Sequence, residues 1–148
     1  MYPKKDKFLF TEMNSQRNSE LGQEQKRILI VDDDPDIAII LRMILEDNGF
    51  KTDSYTDPEL AYKNFREGLY DLVLLDIKMP EVDGFQLYQK VRKIDSRVKI
   101  CFLTASEYYY EQFRKESGFD EFNQELFLRK PIEIEDLVQA IKKLLESE

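Results

Sequence analysis

ILIVDDDP, residues 28–35, decides the fold. Four consecutive apolar residues, three of them β-branched, run directly into three aspartates and a proline. A run this short and continuous suits a strand buried on both faces, because a strand with one wet face would alternate apolar with polar. Pro35 suits the first turn of a helix, where an N–H is unpaired in any case, and Asp34 can cap the N–H groups exposed there. Ile37, Ile40, Leu41, Ile44 and Leu45 follow at helical spacing as a core stripe, and Gly49 can end the helix. One buried strand, one sharp turn with acids at the strand's carboxyl end, and one amphipathic helix are thereby specified.

The same unit recurs outward from this stretch. Phe50 to Tyr55 reads as a weaker strand, and Asp57-Pro58 opens a second helix that carries Leu60, Ala61 and Phe65 to a stop at Gly68. Leu72-Val73-Leu74-Leu75 is a second fully apolar run, ending in Asp76; after a Pro80/Gly84 loop, Phe85, Tyr88, Val91 and Arg92 mark a third helix. Val98 to Leu103 forms a fourth strand ending in Thr104, and Ser106 to Glu116 is helical in pattern. Phe127-Leu128 is a short fifth strand leading to Lys130-Pro131. Ile134, Leu137, Val138, Ile141, Leu144 and Leu145 then mark a last helix. Five strands alternating with five helices predict an α/β, doubly wound, five-stranded parallel sheet with helices on both faces.

Composition narrows the chemistry. The 148-residue chain has 22 Lys+Arg against 30 Asp+Glu, a net charge of −8, which disfavours a primary grip on nucleic acid phosphates. A single cysteine, Cys101, excludes a disulfide framework and a cysteine-cluster metal site. The absence of histidine removes imidazole catalysis and imidazole ligands, leaving carboxylates, hydroxyls and lysine. Only Phe8-Leu9-Phe10 is apolar near the basic start, too short for a signal or a membrane span, so a cytoplasmic protein without membrane insertion is expected. Residues 1–26 are polar and carry a net charge of +1 against −9 for the remainder. A flexible N-terminal tail is expected there, followed by one domain over 27–148. The Phe8-Leu9-Phe10 patch could dock on a partner or on the body.

Asp32/Asp33, Asp76, Thr104 and Lys130 occupy equivalent positions, each directly after an apolar strand. In an open parallel sheet, sites form outside the carboxyl ends of the strands near the switch in strand order. If strands one and three are neighbours, three carboxylates converge. Such a cluster needs a cation, and oxygen ligands alone select Mg²⁺ or a similar ion. Lys130 and the Thr104 hydroxyl would meet phosphoryl oxygens, and one carboxylate would serve as the nucleophile. Taken singly, each residue has a plainer role: capping acids at 32–34, a strand-end hydroxyl at Thr104, a solvated Lys130 and a core aromatic at Phe127.

ILIVDDD (28–34), DLVLLDIKMPEVDG (71–84), FLTA (102–105) and RKP (129–131) together resemble the receiver (CheY-like) domain of two-component response regulators, over about residues 27–146. The resemblance implies a flavodoxin-like strand order, 2-1-3-4-5. It implies that Asp76 is the phosphoacceptor and that its donor is the phosphohistidine of a histidine kinase or a histidine phosphotransfer protein. Asp33, Asp76 and the backbone carbonyl of Lys78 would hold Mg²⁺, with Asp32 acting mainly through a bound water. Thr104 would move towards the phosphoryl group, Lys130 would pair with it, and Phe127 would match the aromatic switch that turns inward. Pro131 matches a proline usually preceded by a cis peptide.

Because the chain stops at Glu148 after its last helix, a stand-alone receiver is expected, although a piece of a longer protein has the same appearance. Its output would be protein–protein signalling or phosphorelay through the fourth helix, fifth strand and fifth helix, as a monomer or weak dimer. It would not be a turnover enzyme. That face departs from the family: 25 residues separate Thr104 from Lys130, the small Gly-Ala pair before the fifth strand is absent, and Tyr108, Tyr109 and Tyr110 open the fourth helix. Two other classes fit parts of the chain. One is an interaction module that keeps the fold without phosphorylation. The other is an Asp-nucleophile phosphohydrolase of the haloacid dehalogenase kind using Asp32 and Asp34, which leaves Asp76 unexplained.

Overall fold

The computed structural model describes residues 25–77, 79, 83–106, 108, 111 and 125–147. The strands are β1 (Arg27–Val31), β2 (Lys51–Tyr55), β3 (Leu72–Asp76), β4 (Lys99–Thr104) and β5 (Glu125–Arg129). The helices among the described residues are α1 (Pro35–Asp47), α2 (Pro58–Asn64), α3 (Gly84–Ile94) and α4 (Ile134–Glu146). Most of the helix expected over 106–116 lies outside the described residues. So do residues 1–24 and the departures noted at 109–110 and 117–122.

The strands form one sheet in the order β2-β1-β3-β4-β5, every neighbouring pair parallel. The apolar runs are continuous because alternate residues feed two cores. Leu29, Val31, Val73, Leu75, Ile100 and Phe102 pack with Ala61, Leu87 and Val91 beneath α2 and α3. Ile28, Ile30, Leu72, Leu74, Cys101 and Leu103 pack with Leu41, Leu45, Leu137 and Ile141 beneath α1 and α4. The strand β2, at one edge of the sheet, has no buried residue, which accounts for its weaker signal. Arg27 and the Tyr70 hydroxyl both donate to Asp53, at 2.8 and 2.6 Å, and tie β2 to the sheet.

The helix starts follow the local chemistry. Asp34 accepts from the N–H groups of Asp36 and Ile37, Asp57 from that of Glu59, and Pro35 and Pro58 occupy the first turns. Asp83 and Gln86 close a capping box at α3.

Three expected core positions are exposed: Ile40 (54%), Leu60 (47%) and Ile134 (56%). In α1 the inward line is Ala38, Leu41 and Leu45, so Ile40 turns out of the core. The small Ala38 lets the helix approach the sheet on that line, which spacing of large apolar residues alone does not reveal. In α2 the core contact is made by Pro58 and Ala61, and the helix ends at Asn64 rather than running to Gly68. Ile134 sits in the first turn of α4, ahead of the buried Leu137, Val138, Ile141 and Leu144.

Candidate functional site

The register of the sheet brings the site together. Val31 pairs with Leu75, so the next residues, Asp32 and Asp76, emerge side by side where the strand order reverses. Thr104 ends β4 beside them, and the Lys130 N–H donates to the Thr104 carbonyl at 2.8 Å, which aligns the turn after β5. The Lys130–Pro131 peptide is cis, as the resemblance implies. Asp32, Asp33, Asp76, Thr104 and Lys130 all line one open cavity of about 360 Å³, with Asp34, Ile37, Ala105 and Ser106 completing its wall.

Each side chain is held. Asp32 is 2% exposed; one of its oxygens accepts from the Asp34 N–H at 3.0 Å, the other from the Lys130 Nζ at 3.0 Å. Lys130 is 3.9 Å from Asp76, so before any ligand binds it leans on Asp32 more than on Asp76. The buried Thr104 hydroxyl oxygen accepts from the Ser106 N–H at 3.1 Å, which leaves its own proton available to donate. Gly84 supplies a support that spacing did not single out. Its N–H donates to the Ile77 carbonyl at 2.6 Å. A Cβ there would be driven into the Asp76 carbonyl oxygen and to 2.7 Å from the Ile77 Cα. The sequence signal for this was the position of Gly84 at the start of a helix, where its lack of a side chain lets the backbone close up.

One carboxylate atom from each of Asp32, Asp33 and Asp76 lies within 4.8 Å of the others. Burial, then the Asp32 charge, raises the Asp76 carboxyl to about 7; Lys130 opposes this, while Asp33 adds to it by a shared hydrogen bond and by its charge. A single lysine therefore leaves the cluster under-neutralised. The donor set is hard oxygen only, which fits a divalent cation of the Mg²⁺ type. Lys78, expected to add its backbone carbonyl, lies outside the described residues.

Phe127 is buried, its ring stacked on Phe102 with centroids 4.7 Å apart, and Phe102 in turn meets the edge of Tyr88 at 5.4 Å. The aromatic at the expected switch position therefore already points inward. Tyr108 is 65% exposed.

The sequence pattern of the family described as "Response regulator receiver domain" matches residues 28–142. The chain belongs to the response regulator receiver family. It is 33% identical over 120 residues to the response regulator receiver protein CpdR of Brucella abortus, covering 81% of this chain and 97% of that one. It is 35% identical over 125 residues to the transcriptional regulatory protein RprY of Bacteroides fragilis, covering 82% of this chain but 50% of the relative. The chain thus spans about half the length of several curated relatives that it matches. Among solved structures, a receiver domain protein (CheY-like) from Methanospirillum hungatei is similar at a TM-score of 0.72 and 29% identity, covering 83% of this chain and 95% of the other. The response regulator TrrA of Thermotoga maritima, solved in complex with Mg²⁺ and BeF, is similar at a TM-score of 0.67 and 34% identity, covering 81% and 99%.

Receiver domains act in two-component signalling, accept phosphoryl groups from histidine kinases and bind Mg²⁺ in their acidic pocket. The strand order of this receiver, 2-1-3-4-5, is the one its family resemblance implies. No helix among the described residues is long and apolar enough to cross a membrane.

Proposed function

We propose that Asp76 is the phosphoacceptor of a Mg²⁺-dependent switch. The observation that carries this reading is the convergence of Asp32, Asp33 and Asp76 with Lys130 and Thr104 in one cavity at the switch point of the sheet. A carboxylate oxygen of Asp76 forms the new P–O bond as the P–N bond of the donor phosphohistidine breaks, and the electron pair returns to the imidazole nitrogen. Asp32, Asp33, Asp76 and the Lys78 carbonyl would hold the cation. When bound, it neutralises charge on the phosphoryl oxygens and on the carboxylates. Lys130 meets a second phosphoryl oxygen, and the free Thr104 hydroxyl proton is donated to a third. With Asp76 raised to about 7 in the bare cluster, added positive charge also keeps the nucleophile ionised at neutral pH. Positioning and charge are nearly all that phosphoryl transfer demands.

The receiver works in the cytoplasm as a switch that turns over no external substrate. It signals through protein contacts on the face formed by the segment after β4, by β5 and by α4, and makes no direct contact with nucleic acid. The exposed Tyr108 supplies an aromatic anchor on that face. Intact-protein mass after incubation with acetyl phosphate is the deciding experiment. Wild type gains one phosphoryl group only with Mg²⁺, and Asp76→Ala gains none. An adduct on Asp76→Ala, or Mg²⁺-independent labelling, refutes the assignment.

A further inference from the structure

Beneath the cavity lies a row of apolar side chains, one from each of four strands. Val31, Leu75, Phe102 and Phe127 are successive register partners across β1, β3, β4 and β5, and all four are buried. The row ends in two phenyl rings. Neighbouring strands lie about 4.8 Å apart, and the centroids of Phe102 and Phe127 are 4.7 Å apart with the ring planes 20° from parallel. The spacing of β4 and β5 thus sets the stacking distance of the two rings.

Helix α3 holds the array from the other side. The Tyr88 ring meets Phe102 edge to face at 5.4 Å. It is itself stacked on Phe85 at 5.9 Å and covered by the Arg92 guanidinium at 5.6 Å. Arg92 also donates to the Val98 carbonyl at the head of β4, so helix, strand and rings are tied to one another. Phe85 follows Gly84, whose N–H holds the Ile77 carbonyl next to Asp76. The rings therefore run without a break from the backbone that carries Asp76 to β5.

We infer that Phe127 is a fixed brace of the signalling face: its ring stays inward whether or not Asp76 carries a phosphoryl group. The inference rests on Asp76 being the phosphoacceptor. A phenyl ring has no hydroxyl, so water offers it no hydrogen bond that would hold it outside. Turning outward gives up the burial and the stack together, which disfavours that rotamer by roughly a hundredfold or more. A ligand can shift only the population that is left to shift, here on the order of one per cent. The change at Asp76 is carried instead by Thr104 and the chain that leaves it, tied to the Thr104 hydroxyl by the Ser106 N–H at 3.1 Å. A partner that reads the inward position of Phe127 finds it before phosphorylation.

Fluorine NMR of the full chain labelled with 4-fluorophenylalanine tests this. The ten phenylalanines give separate signals, and Phe127→Leu identifies the one from position 127. A fluorine in contact with water changes its shift between H2O and D2O, and a buried one does not. The expected result is no isotope shift at Phe127 in the unloaded protein and none after loading with Mg²⁺ and beryllofluoride. The bound beryllofluoride resonance, lost in Asp76→Ala, reports loading in the same spectrum. Phe102→Leu removes the stack and is expected to expose Phe127 to solvent, with the far-UV spectrum and melting curve showing a folded body. Tyr88→Leu, on the helix, serves the same purpose if Phe102→Leu does not fold. An isotope shift that is present in unloaded wild type and vanishes on loading overturns the proposal, as does one present in both states. Full protection of Phe127 in the folded Phe102→Leu or Tyr88→Leu protein overturns the bracing by rings. Absence of a bound beryllofluoride signal refutes the phosphoacceptor reading, while the unloaded spectra of wild type and variant still decide the brace.

Discussion

At Asp76, burial and the neighbouring Asp32 charge work against ionisation, and the consequence can be measured without any partner. The folded carboxyl holds its proton more tightly than the unfolded one. Its contribution to stability is therefore full below about pH 4 and is lost as pH rises through about 7. Asp76→Asn removes that loss. In the presence of a chelator at pH 8 it is expected to raise the melting temperature, by a free energy on the order of a few kcal/mol, and to do little at pH 4. Melting curves at the two pH values check this, and equal effects at both would remove the electrostatic explanation. Cys101 illustrates the opposite kind of buried group. It is fully buried, and burial alone pushes its thiol up to about 12. A thiol reagent at pH 8 is expected to leave the native protein unlabelled and to modify one thiol after unfolding, read by mass.

The elements show how the same residue types serve two ends. Asp34 caps α1 through two N–H groups while its own N–H orients Asp32. Asp34→Ala should cost about 1 kcal/mol in chemical denaturation, the usual value of a lost cap. It should also loosen Asp32, seen as a weaker response to Mg²⁺. In β5 the aromatic at the expected switch position is part of the core, stacked on Phe102 of β4. Phe127→Ala is expected to destabilise by roughly 3–5 kcal/mol in denaturant titration, as for other buried aromatics. A loss below about 1 kcal/mol would mean that the ring is not held there. At the head of α3, Gly84→Ala would force the Asp76–Ile77 backbone aside, at about 1–3 kcal/mol by overpacking. It would lower phosphorylation of Asp76 as well as stability, whereas a purely structural role would move stability alone.

On the scale of the whole molecule, the sheet gathers acids at one end and leaves the cluster short of positive charge. A divalent cation that binds only the folded state stabilises it by mass action, about 2.7 kcal/mol at a hundred times its dissociation constant. Titration with Mg²⁺ should therefore raise the melting temperature of wild type, and Asp33→Asn together with Asp76→Asn should abolish the rise. A flat wild-type titration would remove the metal from the reading.

Much of this was legible along the chain, because burial on two faces, helical periodicity and the placement of polar residues after strands are all local properties. The apolar runs at 28–31 and 72–75 can be satisfied only inside a covered parallel sheet, and such a sheet must carry Asp32, Asp76, Thr104 and Lys130 at one end. What remained depends on which elements become neighbours, and local spacing holds no information about that. The packing of α1 on the sheet through Ala38, Leu41 and Leu45, and of α4 through Leu137, Val138, Ile141 and Leu144, leaves Ile40 and Ile134 facing outward. The parallel register of β1 with β3 and of β4 with β5 brings Lys130 to Asp32, 98 residues away, and makes it the partner of that carboxylate more than of Asp76. Contacts over such separations arise only when the chain closes on itself, since crossover handedness and side-chain volume, rather than residue order, choose the partner.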